Sequence, residues 1–259
     1  MITQLKKGSN GNIFLIHPSG ASAYFYRDFA RCVTLDVNVF AIQSPAIRND
    51  YVCLNDMQAV SELYMNCIKA KKSTGPYIIG GASSGGAIAH AIANRLIKCD
   101  DTVKLLFMID TPTPKEKYEI EQKKEIEILA YLFGFQLDIE KINKRFYQEP
   151  LMQQIEYIQK SGTIPKARLF SSEKMIKIYN IWKDNVATLW GYSPNKFPNG
   201  LLYFSAKNKE ELDTRQAPGY WNEFCHGELN LFEIEGTHSS INRLPNVKNI
   251  VVKLEQFLT

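Results

Sequence analysis

The chain has 259 residues, of which 45% are hydrophobic, so it can bury a sizeable core within one α/β domain spanning residues 1–259. The formal net charge is +4, and the lysines are mixed with glutamates instead of forming a basic block, which argues against nucleic-acid binding. Five scattered cysteines without a C-x-x-C pair predict neither a disulfide framework nor a metal site, and they fit a reducing cytoplasm.

No apolar run reaches the 18 residues of a membrane-spanning helix, and the first residues lack the pattern of an export signal. The sequence also has no internal repeat and no low-complexity segment. We therefore expect a soluble, cytoplasmic protein that does not bind membranes.

The first predicted elements form a β-α-β unit. An almost continuous apolar run over 12–17, followed by Pro18-Ser19-Gly20, is typical of a strand buried on both faces of a mostly parallel sheet. Apolar residues at helical spacing follow over 23–33, and a second strand is expected over 37–42. Asn55 is predicted to cap the next helix.

The stretch 77–89 changes abruptly from an apolar strand to small residues and then to a helical pattern. Gly81-Ala82-Ser83-Ser84-Gly85 has the G-x-S-x-G spacing of a nucleophile elbow, a sharp turn that needs glycines where a side chain would clash. Ser83 is the predicted nucleophile, although the shifted register Ala82-x-Ser84-x-Gly86 leaves Ser84 as an alternative. In the first register, the backbone N–H of Ser84 opens the helix and points to where an oxyanion would form.

The alternation of strands and helices is then interrupted. A buried strand is expected over 103–109, directly before Asp110. From 113 to 174, amphipathic helical patterns rich in lysine and glutamate follow one another without a strand between them. The predicted helices in this insertion are 116–133, 139–146 and 151–159. We expect the insertion, 113–174, to form a helical lid over the Ser83 site.

Sheet elements resume after a long helix over 172–190. Strands are expected over 201–206 and 229–234, and a last helix over 246–258 has a clear apolar stripe. Strands that alternate with helices in this way predict an α/β fold with a mostly parallel central sheet and flanking helices.

Three residues of types that are often catalytic lie at the ends of predicted strands. Ser83, Asp110 and His238 are expected at the carboxyl ends of parallel strands, where the functional groups of open α/β sheets gather. An activated serine needs a base, and the base needs an orienting acid. The chain order Ser, Asp, His matches that of the α/β hydrolases.

Other residues compete for two of these roles. The remaining histidines are His17, His90 and His226, of which none ends a strand late in the chain. Asp213 is a rival acid because it follows the strand over 201–206, and Glu210 and Glu211 share its loop.

In combination, these motifs resemble the thioesterase domains that end nonribosomal peptide synthetases and polyketide synthases. The resemblance covers nearly the whole chain and rests on the order of several short motifs. The matching pieces are IFLIHPSG at 13–20, GPYIIGG at 75–81, the elbow with its additional Gly86, LFMIDTP at 106–112 and GTH at 236–238.

This resemblance implies an α/β-hydrolase fold and favours Asp110 over Asp213, because the family's acid follows the strand after the elbow. It implies a Ser83-linked acyl-enzyme, with an acyl, peptidyl or polyketide chain delivered on the phosphopantetheine of a carrier protein and released by hydrolysis or cyclisation. The oxyanion would be bound by the backbone N–H groups of Ser84 and of a residue after His17, for which we choose Ser19. No cofactor of the protein's own is expected.

The sequence departs from the family pattern in two places. Ala21 stands where the first loop usually has a second glycine, and the small Ala82 and Ser84 stand where the elbow often has a bulky residue. These departures leave Ser83, Asp110 and His238 intact and concern the width of the site.

Three alternative functions stay open at this point. They are a stand-alone editing thioesterase, an esterase or amide hydrolase that acts on a small free substrate, and a noncatalytic binding protein with a hydrolase fold. The start of the chain, 1–12, resembles the linker that leads into the terminal domain of an assembly line, so the chain is expected to be either an excised domain or a free-standing protein.

Overall fold

A seven-stranded sheet forms the centre of the computed structural model, which describes residues 1–47, 56–114, 124–133, 137, 144–161, 165–208 and 217–259. The strands are β1 (Ile2–Lys6), β2 (Asn12–Ile16), β3 (Asn38–Ile42), β4 (Tyr77–Ala82), β5 (Val103–Ile109), β6 (Leu201–Ala206) and β7 (Leu229–Ile234). Their spatial order is β1-β3-β2-β4-β5-β6-β7. All neighbours are parallel except β1 and β3, so the carboxyl ends of β2 to β7 lie along one edge.

Eight α-helices accompany the strands in the described part of the chain. They are α1 (Arg27–Cys32), α2 (Met57–Lys71), α3 (Ser84–Lys98), α4 (Glu125–Phe133), α5 (Leu151–Ser161), α6 (Ser172–Trp190), α7 (Ala217–Glu223) and α8 (Asn246–Glu255). None of these helices combines the length and the apolar character that crossing a bilayer requires.

Hydrophobic clusters cover both faces of the sheet, as the continuous apolar runs predict. On β2, Phe14 and Ile16 pack into one cluster with α2 and α3, while Ile13 and Leu15 pack into the other with α1 and α8. All four side chains are fully buried. The predicted mostly parallel sheet with helices on both faces is therefore confirmed.

Two elements differ from the sequence prediction. The segment 1–12 is not simply a linker, because Ile2–Lys6 pairs antiparallel with β3 as an edge strand. Helix α7 was not predicted. Asn55 lies outside the described residues, and the side chain of Asp56 caps α2 by accepting from the Ala59 N–H at 2.8 Å.

The helical insertion has a hydrophobic cluster of its own. Ile126 and Leu129 of α4 pack in it with Ile155 of α5 and with Met175 and Trp182 of α6. The insertion was predicted to end at 174, but this position lies inside α6, and the cluster continues along that helix. Much of the predicted helices 116–133 and 139–146 lies outside the described residues. Residues 144–148 form a 3-10 turn.

Backbone segments approach one another very closely where β4 meets α3. A Cβ added to Gly85 would lie 2.3 Å from the Ile16 carbonyl oxygen and 2.5 Å from that of His17. A Cβ added to Gly81 would lie 2.2 Å from the Gly85 carbonyl. Real Cβ atoms do not come this close to backbone, so glycine is required at both ends of the elbow, as the G-x-S-x-G pattern predicts.

We expect Gly85→Ala to lower the free energy of unfolding by about 1–3 kcal/mol, because the new methyl group has to displace backbone of the β2 end. Urea titration measures this change. Gly219→Ala in α7 is the matched control, since its Cβ meets nothing within 4 Å. The control should stay within about 0.5 kcal/mol of the wild type. Equal stability of Gly85→Ala and the wild type would contradict the steric argument.

Candidate active site

The carboxyl ends of β4, β5 and β7 bring Ser83, Asp110 and His238 together. His238 Nε2 lies 3.2 Å from Ser83 Oγ, and His238 Nδ1 lies 2.7 Å from Asp110 Oδ2. A carboxylate can only accept, so Nδ1 carries the proton and Nε2 is left to accept from the serine hydroxyl. In this arrangement, His238 can take a proton from Ser83.

Ser83 occupies a backbone conformation that side chains rarely adopt, with φ 53° and ψ −135°. It stands at the N-cap position of α3, yet its hydroxyl makes no capping hydrogen bond and faces His238 instead. Ser84, the alternative nucleophile, is 1% exposed, and its hydroxyl accepts from Ser19 Oγ at 2.8 Å. The structure therefore places Ser83, and not Ser84, against the histidine.

Two hydrogen bonds with β6 hold Asp110, one at its carboxylate and one at its backbone N–H. The Ala206 N–H at the end of β6 donates to Asp110 Oδ1 at 2.9 Å, and the Asp110 N–H donates to the Phe204 carbonyl at 2.7 Å. Because Asp110 is also 1% exposed, its carboxylate has a fixed direction towards His238. Asp213, Glu210 and Glu211 lie outside the described residues.

A compact turn after β7 presents His238. Gly236 has a φ of 112°, which favours glycine, and the Thr237 N–H donates to Ser240 Oγ at 2.9 Å. The Ile241 N–H donates to the Thr237 carbonyl at 2.8 Å, and this hydrogen bond closes the turn that contains His238.

The two predicted oxyanion donors lie on loops that are tied together. The hydroxyls of Ser19 and Ser84 are hydrogen-bonded at 2.8 Å, and both side chains are buried. Within the described residues, neither the Ser19 nor the Ser84 N–H donates to a protein acceptor. Ala21 has a φ of 68°, a conformation that favours glycine.

Asn185 and Tyr26 support these loops, and neither was predicted. Asn185 of α6 is 4% exposed and donates its amide to the Ser19 carbonyl at 2.8 Å. The Tyr26 hydroxyl donates to the Ile16 carbonyl and accepts from the Ala82 N–H at 2.7 Å, so it joins the ends of β2 and β4. Burial raises the pKa of Tyr26 well above its usual range, which keeps the hydroxyl neutral.

A cavity of about 200 Å³ opens beside Ser83 and His238. Much of its wall is apolar and comes from the insertion and from α6. These apolar residues include Leu132, Trp182, Val186, Leu189 and Trp190. A mostly apolar lining with a few polar groups, such as Ser83 and His238, is usual for small-molecule sites.

Two other histidines are buried away from this arrangement. The His17 ring donates from Nδ1 to the Pro18 carbonyl at 2.8 Å, and Nε2 accepts from the Tyr64 hydroxyl at 2.6 Å. Burial lowers the pKa of His17 to about 4 and that of His90 to about 4. Both are neutral structural side chains, and His226 lies in an exposed turn.

Among the described residues, no cluster of three His, Cys, Asp or Glu side chains has an arrangement that could hold a metal ion.

Comparison with known proteins identifies the class to which the chain belongs. The sheet topology is that of an α/β hydrolase, and the thioesterase domain family model matches residues 12–258. The chain belongs to this thioesterase domain family. The predictions of an α/β-hydrolase fold and of an enzyme of the thioesterase class are thus confirmed.

The relatives with curated sequences are large synthases. A probable non-canonical nonribosomal peptide synthetase, CymA, of Salinispora arenicola is 25% identical over 95% of this chain. The dimodular nonribosomal peptide synthase of Bacillus subtilis is 23% identical over 96% of this chain. The non-reducing polyketide synthase ntnG of a Nectria species is 26% identical over 92% of this chain. The chain spans only 3%, 10% and 12% of the lengths of these three relatives, respectively.

Solved structures share the fold. The chain matches a four-domain nonribosomal peptide synthetase, holo-AB3403, with a TM-score of 0.83 and 23% identity over 98% of this chain and 20% of the other. It matches the Vlm2 thioesterase domain with a TM-score of 0.72 and 20% identity, over 99% of this chain and 98% of that one. It matches the NocB thioesterase domain with a TM-score of 0.71 and 16% identity, over 99% of this chain and 98% of that one. The NocB domain was also crystallised as a covalent complex with a fluorophosphonate.

The two buried histidines predict a loss of stability in acid. Their pKa is about 4 in the folded chain and about 6.5 when unfolded, so between these values the unfolded chain binds protons that the folded chain does not. Each histidine should lower the free energy of unfolding by about 1.4 kcal/mol per pH unit as pH falls from 6.5 to 4. Urea titrations at several pH values measure this slope.

His17→Gln should reduce the slope by the contribution of one histidine, whatever it does to stability at pH 7. His226→Gln is the matched control, because it removes a histidine from an exposed turn. An unchanged slope in His17→Gln would show that His17 is not the group that takes up the proton.

Proposed function

We propose that the chain is a serine thioesterase that releases an acyl, peptidyl or polyketide chain from the phosphopantetheine thioester of a carrier protein. The observation that carries this proposal is the hydrogen-bonded series Ser83–His238–Asp110, of which Ser83 and His238 line a mostly apolar cavity. Membership of the thioesterase domain family and the synthase relatives support the same reaction and the carrier protein as partner.

Ser83 Oγ attacks the thioester carbonyl while His238 Nε2 takes the hydroxyl proton. Asp110 keeps the proton on His238 Nδ1 and stabilises the imidazolium that forms. The tetrahedral oxyanion accepts hydrogen bonds from the backbone N–H groups of Ser84 and Ser19. The carbon–sulfur bond then breaks, and the pantetheine thiolate leaves with the proton that His238 returns.

The acyl-Ser83 ester is resolved by a second nucleophile. His238 takes a proton from water, or from a hydroxyl or amine of the acyl chain itself, and that nucleophile attacks the ester carbonyl. Return of the proton to Ser83 Oγ completes the cycle and gives a free acid or a cyclic product. The thioesterase requires no cofactor of its own in this scheme, since the phosphopantetheine belongs to the substrate.

The helical insertion together with α6 acts as a lid in this proposal. Leu132 of α4 and Trp182 of α6 line the cavity that contains Ser83, and both also pack in the cluster of the insertion with Ile126 and Leu129. An apolar wall of this kind receives the acyl chain and limits the access of water to the ester.

Ser83→Ala should abolish both turnover of octanoyl-pantetheine and labelling by an alkyl fluorophosphonate, because Oγ is the atom that forms the covalent bond. Intact-protein mass spectrometry measures the adduct, and peptide mapping locates it. Ser84→Ala is the matched control and should keep the adduct, since the Ser84 hydroxyl bonds to Ser19 and not to His238. An adduct on Ser84, or none on the wild type, would refute the assignment.

Asn185→Leu should lower kcat about tenfold or more with little change in KM, because it frees the Ser19 loop that carries one proposed oxyanion donor. The matched control is Asn94→Leu. Asn94 is also buried on a helix, and its amide donates to the His90 and Asn195 carbonyls, away from the site. Both variants should lose stability, but only Asn185→Leu should lose kcat. Equal kcat values in the two variants would show that Asn185 has a structural role alone.

A further inference from the structure

A second cavity adjoins the active-site cavity on its outer side. It measures about 200 Å³ and is lined by Tyr24, Phe25, Arg27, Asp28 and Arg243. Phe25 and Arg243 line the active-site cavity as well, so the two spaces meet at these side chains. Tyr24 is 64% exposed, which places this outer cavity at the protein surface.

The outer cavity has an excess of positive charge. Arg27 and Arg243 are both exposed, and within the described residues neither guanidinium has a carboxylate within 4.0 Å. The one acidic side chain in the lining, Asp28, lies 3.6 Å from the guanidinium of Arg31, which does not line the cavity. Two guanidinium groups are therefore available to an anion at this position.

The backbone that carries these arginines is fixed to the active site. Asn242, which is 1% exposed, donates its amide to the Phe25 carbonyl at 3.0 Å and joins the two walls of the outer cavity. Arg243 lies five residues after His238, and its N–H donates to the Ser240 carbonyl within the same turn at 3.0 Å. Arg27 directly follows Tyr26, whose hydroxyl joins the ends of β2 and β4.

We propose that the outer cavity binds the phosphate of the phosphopantetheine arm through Arg243 and Arg27. The thiol end passes between Phe25 and Arg243 towards Ser83. This inference rests on the proposed thioesterase function and adds the place where the substrate enters. Guanidinium groups bind phosphate with paired hydrogen bonds, and an apolar inner cavity next to a cationic outer one matches a ligand with an acyl chain at one end and a phosphate at the other.

The test compares octanoyl-pantetheine with octanoyl-4′-phosphopantetheine, which differ only by the phosphate. The wild type should have a kcat/KM about tenfold higher for the phosphorylated substrate, mostly through KM. A tenfold ratio corresponds to a difference of about 1.4 kcal/mol in free energy, which is what one good phosphate contact would supply. Arg243→Gln should bring the ratio close to one, and Arg243→Lys should retain part of it because the charge stays but the planar fork is lost. Arg27→Gln should also lower the ratio.

Arg145→Gln is the matched control. It removes the same charge from an exposed arginine that lines neither cavity, so the ratio should stay at the wild-type value. Octanoyl-coenzyme A and an octanoyl-loaded acyl carrier protein distinguish the two sources of the phosphate. Loss of kcat/KM in Arg243→Gln with both of them supports binding of the shared phosphopantetheine phosphate.

Two outcomes would overturn the inference while leaving the thioesterase proposal in place. One is a wild-type ratio of one with turnover that still depends on Ser83. The other is an effect of Arg243→Gln that occurs only with the loaded carrier protein, because the arginine would then contact the protein surface and not the phosphate. Absence of turnover and of a Ser83 adduct with every substrate would instead contradict the proposed function.

Discussion

The close approach of the β4–α3 turn to the end of β2 is the constraint on which the rest of the site depends. Gly85 lies so near the Ile16 and His17 carbonyls that no side chain fits between them. This contact holds Ser83 in its unusual backbone conformation, with the hydroxyl directed out of the turn. It also brings the first loop alongside the start of α3, so a single steric fit sets the positions of both proposed oxyanion donors.

Side chains of the first loop, of α3 and of α6 complete that arrangement. The Ser19 and Ser84 hydroxyls bond to each other, and Asn185 of α6 binds the Ser19 carbonyl. Because α6 also packs in the cluster of the insertion, a movement of these helices would act directly on the Ser19 loop. In the proposed mechanism, the element that covers the acyl chain therefore also positions one of the donors that stabilise the transition state.

Sequence patterns could predict the sheet and the strand-end residues, because long apolar runs bounded by turn residues have few alternative structures. The strands at 103–109, 201–206 and 229–234 have the predicted bounds. Strand β1 was missed because an edge strand is only half buried and has a weak apolar pattern. Tyr26 and Asn185 could not be predicted, since their partners lie 56 and 166 residues away and a bond from a side chain to a backbone carbonyl or N–H has no sequence signature.

The distribution of polarity around Ser83 restricts how a substrate can lie. Apolar side chains of α4 and α6 line the inner cavity together with Ser83 and His238, which carry out the proposed chemistry. An acyl chain on the apolar side keeps water away from the ester, which strengthens the interaction between His238 and Asp110 in the site. The same exclusion of water favours a nucleophile within the bound chain over bulk water. The balance between hydrolysis and cyclisation then depends on how completely a given acyl chain covers these apolar side chains.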